Sequence, residues 1–147
     1  MYIFDGAMGT MLQAAGLEEG YCPELFNVER PEVVKNIHAQ YLQHGSDVIT
    51  TNTFGACGLK LEDYDLQDRV REINIAAVKV AKEAIAEVKP SARVAGSMGP
   101  TGRFLQPLGN MSFDAIYDTY REQAEALIEA GVDFIIIETI IDVQEMR

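Results

Sequence analysis

An α/β fold around a parallel sheet is predicted by three features of this 147-residue sequence: short apolar segments rich in Val and Ile, helical patterns between them, and a polar or glycine-rich turn after each segment. The segments are Tyr2 to Phe4, Asp47 to Thr51, Arg93 to Ser97 and Asp133 to Glu138. The last three are too short for helices and show little polar alternation, the pattern of strands buried on both faces of a parallel sheet. The first has only three apolar residues and is assigned as a strand by its place in the series.

Three helices are predicted between the strands. Pro31 suits a first helical position, apolar Val33, Val34, Ile37, Tyr41 and Leu42 recur at helical spacing, and Gly45 can take a left-handed stop. The second helix runs from about Leu66 to Val88, with Val70, Ile73, Ala77, Ala81, Ala84 and Ile85 on one stripe and Pro90 beyond its end. The third begins after Ser112, whose hydroxyl can cap orphan amides, with Asp114 at the positive end of the dipole; its stripe is Ile116, Tyr120, Ala124, Leu127 and Ile128, and Gly131 ends it. The order is strand–helix–strand–helix–strand–helix–strand, with parallel pairing through crossovers. Strands recur roughly every 45 residues, so eight such units fit a (β/α)8 barrel of about 350 residues. The chain has room for four strands, and residues 1–147 are expected to be the first half of such a barrel within a longer protein.

Composition narrows the function. With 48% hydrophobic and 24% charged residues the balance is that of a globular domain. Twelve Lys and Arg against 23 Asp and Glu give a net charge of -11, which repels a phosphate backbone or an anionic membrane, so neither nucleic acid nor membrane is expected as a partner. The sequence shows no leader pattern and no apolar run long enough to span a bilayer, and a cytoplasmic location is expected.

In parallel α/β folds ligands bind where strand carboxyl ends converge. Those ends carry Asp5 to Thr10, Thr50 to Gly55, Ser97 to Gly102, and Glu138 with Thr139. Two carboxylates, several hydroxyls, an amide and many glycine amides on one rim suit a small zwitterion: carboxylates for an ammonium group, backbone amides for a carboxylate. Each piece has a plainer alternative. Asp5 before Gly6 can be a turn residue, and Glu138 can be solvated in its loop. Gly96, Gly99 and Gly102 can form an anion-binding nest or merely permit a turn beside Pro100. Cys22 and Cys57 have no second Cys or His at metal-binding spacing and are read as small reduced apolar residues. His38 and His44 are placed at the surface or core edge of the first helix, and Tyr117 and Tyr120 are read as packing residues.

Five motifs in order and spacing are specific together: Asp-Gly-Ala-Met-Gly-Thr at 5–10, Cys-Pro-Glu-Leu-Phe-Asn at 22–27, Thr-Asn-Thr-Phe-Gly-Ala at 51–56, Gly-Ser-Met-Gly-Pro-Thr-Gly at 96–102 and Ile-Glu-Thr at 137–139. Over essentially its whole length the chain resembles the homocysteine S-methyltransferase family, most closely the amino-terminal domain of its cobalamin-dependent members. The resemblance implies a TIM barrel with homocysteine at its carboxyl-terminal face, the sulfur on a zinc ion held by three cysteine thiolates. It implies that Asp5 and Glu138 contact the homocysteine ammonium, that Gly6 offers a backbone contact, and that Thr53 and Phe54 line the amino-acid pocket. The family's zinc cysteines belong to late-strand motifs that this sequence lacks, so no metal ligand and no catalytic residue is assigned here, and the chain alone is expected to be inactive.

For the closest relatives the resemblance implies methylcobalamin as donor, recharged from methyltetrahydrofolate by further domains, with methionine as product. The partners implied are homocysteine, the other barrel half and those domains, with self-association of the isolated chain expected from its bare strand edges. Two alternatives stand: a non-catalytic half-barrel assembly module, and an α/β enzyme that binds a phosphorylated metabolite through the Gly96 to Gly102 loop.

Overall fold

The structure is a computed structural model that describes residues 1–146. After an extended start, the chain forms a short helix α1 (Gly9–Ala14), a turn at Pro23–Leu25 that runs into α2 (Phe26–Glu29), and α3 (Pro31–Gln43). Strand β1 (Val48–Thr50) leads through α4 (Gly58–Leu61) to the long α5 (Val70–Val88). Strand β2 (Arg93–Met98), α6 (Phe113–Ala130) and β3 (Phe134–Ile137) complete the order. The three strands are parallel in the order β1-β2-β3, with Ile49 opposite Val94 and Gly96 opposite Ile135. Helices α5 and α6 are the crossovers, and no helix among the described residues is long and apolar enough to cross a membrane.

The strand expected at Tyr2 to Phe4 is reduced to a single parallel bridge between Phe4 and Val48. The Val48 amide donates to the Ile3 carbonyl at 3.1 Å and the Asp5 amide to the Val48 carbonyl at 3.0 Å, so the ladder does begin. It stops because the next amide, that of Thr50, donates to the Asp5 carboxylate at 2.8 Å, a side chain standing where a strand would offer its backbone. The second correction concerns the last strand. β1 and β2 are buried on both faces as expected, but Phe134 and Ile137 of β3 are exposed, because β3 is an edge among the described residues.

The helices follow their predicted signals with local differences. Pro31 opens α3, the Ala115 amide donates to the Ser112 hydroxyl at 3.2 Å, and Gly45 and Gly131 take left-handed conformations beyond the helix ends. The helix expected from Leu66 starts at Val70, after a single 3-10 turn at Gln67–Arg69. The buried face of α6 is rotated from the predicted stripe: Thr119, Gln123 and Ala126 join Ile116 and Leu127 inside, while Ile128 is exposed. Helices α5 and α6 pack on each other and both reach β2, and at Gly96 a Cβ would press on the Leu127 side chain at 3.0 Å, so the missing Cβ eases the approach of α6 to the strand. Leu42, Ile49, Val78, Ala81, Val94 and Leu127 form the centre of that core.

His38, expected at a surface or core edge, is fully buried on α3, and among the described residues neither ring nitrogen has a hydrogen-bond partner. Burial pushes its pKa down from 6.5 to about 4, since the charged imidazolium is the form that loses hydration. The folded state therefore holds His38 neutral while the unfolded chain takes up a proton. Its contribution to stability is full above pH 6.5 and is lost as pH falls toward 4, on the order of 3 kcal/mol in all. Chemical denaturation across that range should show this loss, and His38→Leu should flatten it; an equally steep profile in the variant would contradict the assignment.

Candidate functional site

The carboxyl ends of the strands meet the turn at Pro23–Leu25 around a cavity of about 520 Å³. Of the five residues expected to bind substrate, Asp5, Gly6, Phe54 and Glu138 line it. The structure does not bring Thr53 to its wall: that side chain is completely buried and donates to the Ser97 carbonyl at 2.8 Å. Glu24, Asn52 and Ser97 join the lining.

Among the described residues Asp5 is held by Thr50, whose backbone amide and hydroxyl each donate at 2.8 Å to a different carboxylate oxygen. Burial raises the Asp5 pKa, these hydrogen bonds pull it back, and the nearby Glu138 carboxylate pushes it up again. Glu138 accepts a hydrogen bond of 2.5 Å from the Ser97 hydroxyl through one oxygen. Among the described residues, three carboxylates and no Lys, Arg or His line the cavity, so its field favours a cation. Phe54 covers the apolar side, its ring so close to Gly99 that a Cβ there would lie 2.7 Å away.

A buried polar frame holds this rim. Each hydroxyl has one proton, and Thr53 gives its own to the Ser97 carbonyl. In the 2.6 Å contact between the two threonine hydroxyls Thr51 is therefore the donor, and its oxygen accepts from the Ser97 amide at 3.1 Å. Gln123 reaches across from α6 to donate to the Thr53 carbonyl at 2.8 Å. The β1 loop, the end of β2 and α6 are thus tied at one point. Asn27 and Asn52 pair reciprocally, Asn27 donating to the Asn52 carbonyl at 2.7 Å and Asn52 to the Asn27 side chain at 3.2 Å.

The Gly96 to Gly102 loop does not act as an anion nest. Its Gly99 amide donates to the Phe54 carbonyl at 2.9 Å, and its Thr101 amide donates to the buried Glu145 carboxylate at 3.2 Å. Both amides are therefore already engaged within the protein. Tyr120 packs there, donating to the Gly99 carbonyl at 3.0 Å, while Tyr117 is exposed and stacks on Phe113.

Glu24 and Gln123 are the residues that sequence reasoning missed. Glu24 sits in a quoted motif, but a lone Glu in a Pro turn reads as a solvated residue. Gln123 lies one position from Ala124 of the predicted stripe, and only a polar residue next to an apolar stripe could have flagged it.

Fold and site together define a parallel α/β domain that presents an acidic, small-molecule cavity at its strand ends. The chain belongs to the homocysteine S-methyltransferase family, whose model matches residues 2–147. Methionine synthase of Mycobacterium tuberculosis is 39% identical over 97% of the chain, which spans 13% of that protein's length. Solved structures of the homocysteine methyltransferase MmuM from Escherichia coli, in oxidized and metallated forms, superpose with a TM-score of 0.82 at 27% identity, covering 99% of this chain and 55% and 56% of those chains.

The polar frame predicts its own mutant behaviour. Gln123→Leu should destabilise the protein by about 1–2 kcal/mol through the lost hydrogen bond. Gln123→Glu should cost more, about 3 kcal/mol or above, because a buried carboxylate cannot donate to the Thr53 carbonyl and faces that of Ser97 as well. Denaturant melts of both variants check the ranking, and a Glu variant as stable as the Leu variant would refute it.

Proposed function

We propose that this chain is the amino-acid-binding part of a methyltransferase that moves a methyl group onto the sulfur of homocysteine to give methionine. The observation that carries this reading is the convergence of Asp5 and Glu138 on one cavity that, among the described residues, has no cationic side chain, in a member of this family. In it the two carboxylates hold the substrate ammonium, the Gly6 backbone contributes a polar contact, and Phe54 covers the apolar stem. A bound ammonium relieves the repulsion between the two carboxylates, so desolvation at Asp5 is offset when substrate enters.

Zinc, implied by the resemblance, finds no fitting set here. The Cys22 thiol donates to Glu24, and its pKa is pushed to about 12 by burial and then by that carboxylate; Cys57 is fully buried and pushed to about 11. Each is engaged in packing or in a contact to Glu24, whereas a zinc site needs three or four converging ligands. No group of three His, Cys, Asp or Glu among the described residues could hold a metal. In this proposal the chemistry at sulfur falls to residues outside the chain, and these residues bind and orient. Methylcobalamin is the donor proposed, on the shared motifs alone, with remaining domains supplied by the greater length of the relatives.

The proposal is tested on the protein as its gene encodes it. Asp5→Asn and Glu138→Gln should each raise the KM for homocysteine by about ten-fold or more, the scale of a charge-assisted hydrogen bond, with metal content unchanged. Wild-type KM in both variants would sink the ammonium assignment.

We also propose that residues 1–147 form the first half of a (β/α)8 homocysteine-binding domain, supported by the coverage of just over half of MmuM. The exposed apolar side chains of Phe134, Ile137, Ile141, Val143 and Met146 then belong to surfaces the other half covers. Expressed by itself, the chain should self-associate. Sedimentation at several concentrations tests this, and a compact, cooperatively melting monomer throughout would overturn the half-barrel reading.

A further inference from the structure

The third carboxylate of the cavity belongs to Glu24, which is only 6% exposed. One oxygen accepts the Gly55 backbone amide at 2.7 Å, and the other accepts the Cys22 thiol at 3.4 Å. The approach to Gly55 is so close that a Cβ there would lie 2.8 Å from the carboxylate oxygen, so a larger residue would press on the end of the Glu24 side chain. The same turn is tied to the other side of the loop, where the Asn52 amide donates to the Pro23 carbonyl at 2.8 Å. Phe54 lies between these two anchors. Its carbonyl is in turn held by the Gly99 amide at 2.9 Å, which fixes the backbone from which the ring reaches the cavity.

We propose that Glu24 is a positioning residue that fixes the Phe54–Gly55 peptide by accepting its amide, and thereby sets affinity for the amino-acid substrate rather than the rate of methyl transfer. The inference rests on the homocysteine reading of this cavity. A carboxylate whose oxygens are engaged by the loop amide and a thiol acts through its acceptor geometry. An amide side chain of the same length supplies the same acceptor, and alanine does not.

The test is steady-state kinetics on the protein as encoded. Glu24→Ala should raise the KM for homocysteine about ten-fold with kcat changed less than about three-fold, and Glu24→Gln should restore KM to within about three-fold of wild type. Gly55→Ala, which crowds the carboxylate at its amide, should reproduce the KM rise and serves as the readout if Glu24→Ala does not fold. A wild-type KM in Glu24→Ala or Gly55→Ala overturns the proposal. So does Glu24→Gln as impaired as Glu24→Ala, since that result assigns the effect to charge on the substrate. Asp5→Asn separates the two levels: its KM rise beside a normal Glu24→Ala sinks this inference alone, whereas a normal KM in Asp5→Asn sinks the ammonium reading.

Discussion

The amide of Thr50 would ordinarily pair with a carbonyl of the neighbouring strand; here it pairs with the carboxylate of Asp5. That substitution of a side chain for a backbone acceptor ends the first ladder after one bridge and leaves the chain free to turn at Gly6. It also holds a charged group at the carboxyl end of the sheet, where burial alone would drive it out or neutralise it. The Thr50 hydroxyl adds a second bond, so the carboxylate is anchored through both oxygens to β1. The place of Asp5 in the cavity and the path of the first residues follow from this one pairing.

Around it the protein spends buried polar groups where an ordinary core would use apolar ones. Thr51, Thr53, Ser97, Asn74 and Gln123 are buried, and their hydrogen bonds run from α5 and α6 to the ends of β1 and β2. Such a network is stable only when nearly every donor and acceptor is matched, which is also what makes it rigid. A rigid rim suits a site that must keep Asp5 and Glu138 close despite their repulsion, because the cost is met in folding rather than at binding.

The first motif, Asp-Gly-Ala-Met-Gly-Thr, and the second, Cys-Pro-Glu-Leu-Phe-Asn, are joined in space by the loop after β1. Asp5 bonds Thr50, the last residue of β1, while Asn27 and Glu24 bond Asn52 and Gly55 in the loop. The thiols lie on the far side of this arrangement: Cys22 braces Glu24, and Cys57 is a fully buried apolar residue at the start of α4.

What the sequence by itself determined is whatever depends on neighbours along the chain. Alternation of Val- and Ile-rich segments with helical stripes, Pro31, the Ser112 cap and the glycine stops at 45 and 131 are local signals, and the structure follows them. The shared motifs placed Asp5, Gly6, Phe54 and Glu138 at strand ends, and these line one cavity. Tertiary structure alone decided which polar residues turn inward. Thr53 and Phe54 are adjacent in sequence, yet one is sealed under the Ser97 carbonyl and the other lines the cavity. His38 and Gln123 are buried because α3 and α6 each face more than one neighbour, a condition no single-helix stripe encodes. Glu24 meets Gly55 across 31 residues of sequence, and a hydrogen bond of that range leaves no periodic trace; it exists only when the turn and the loop are packed together.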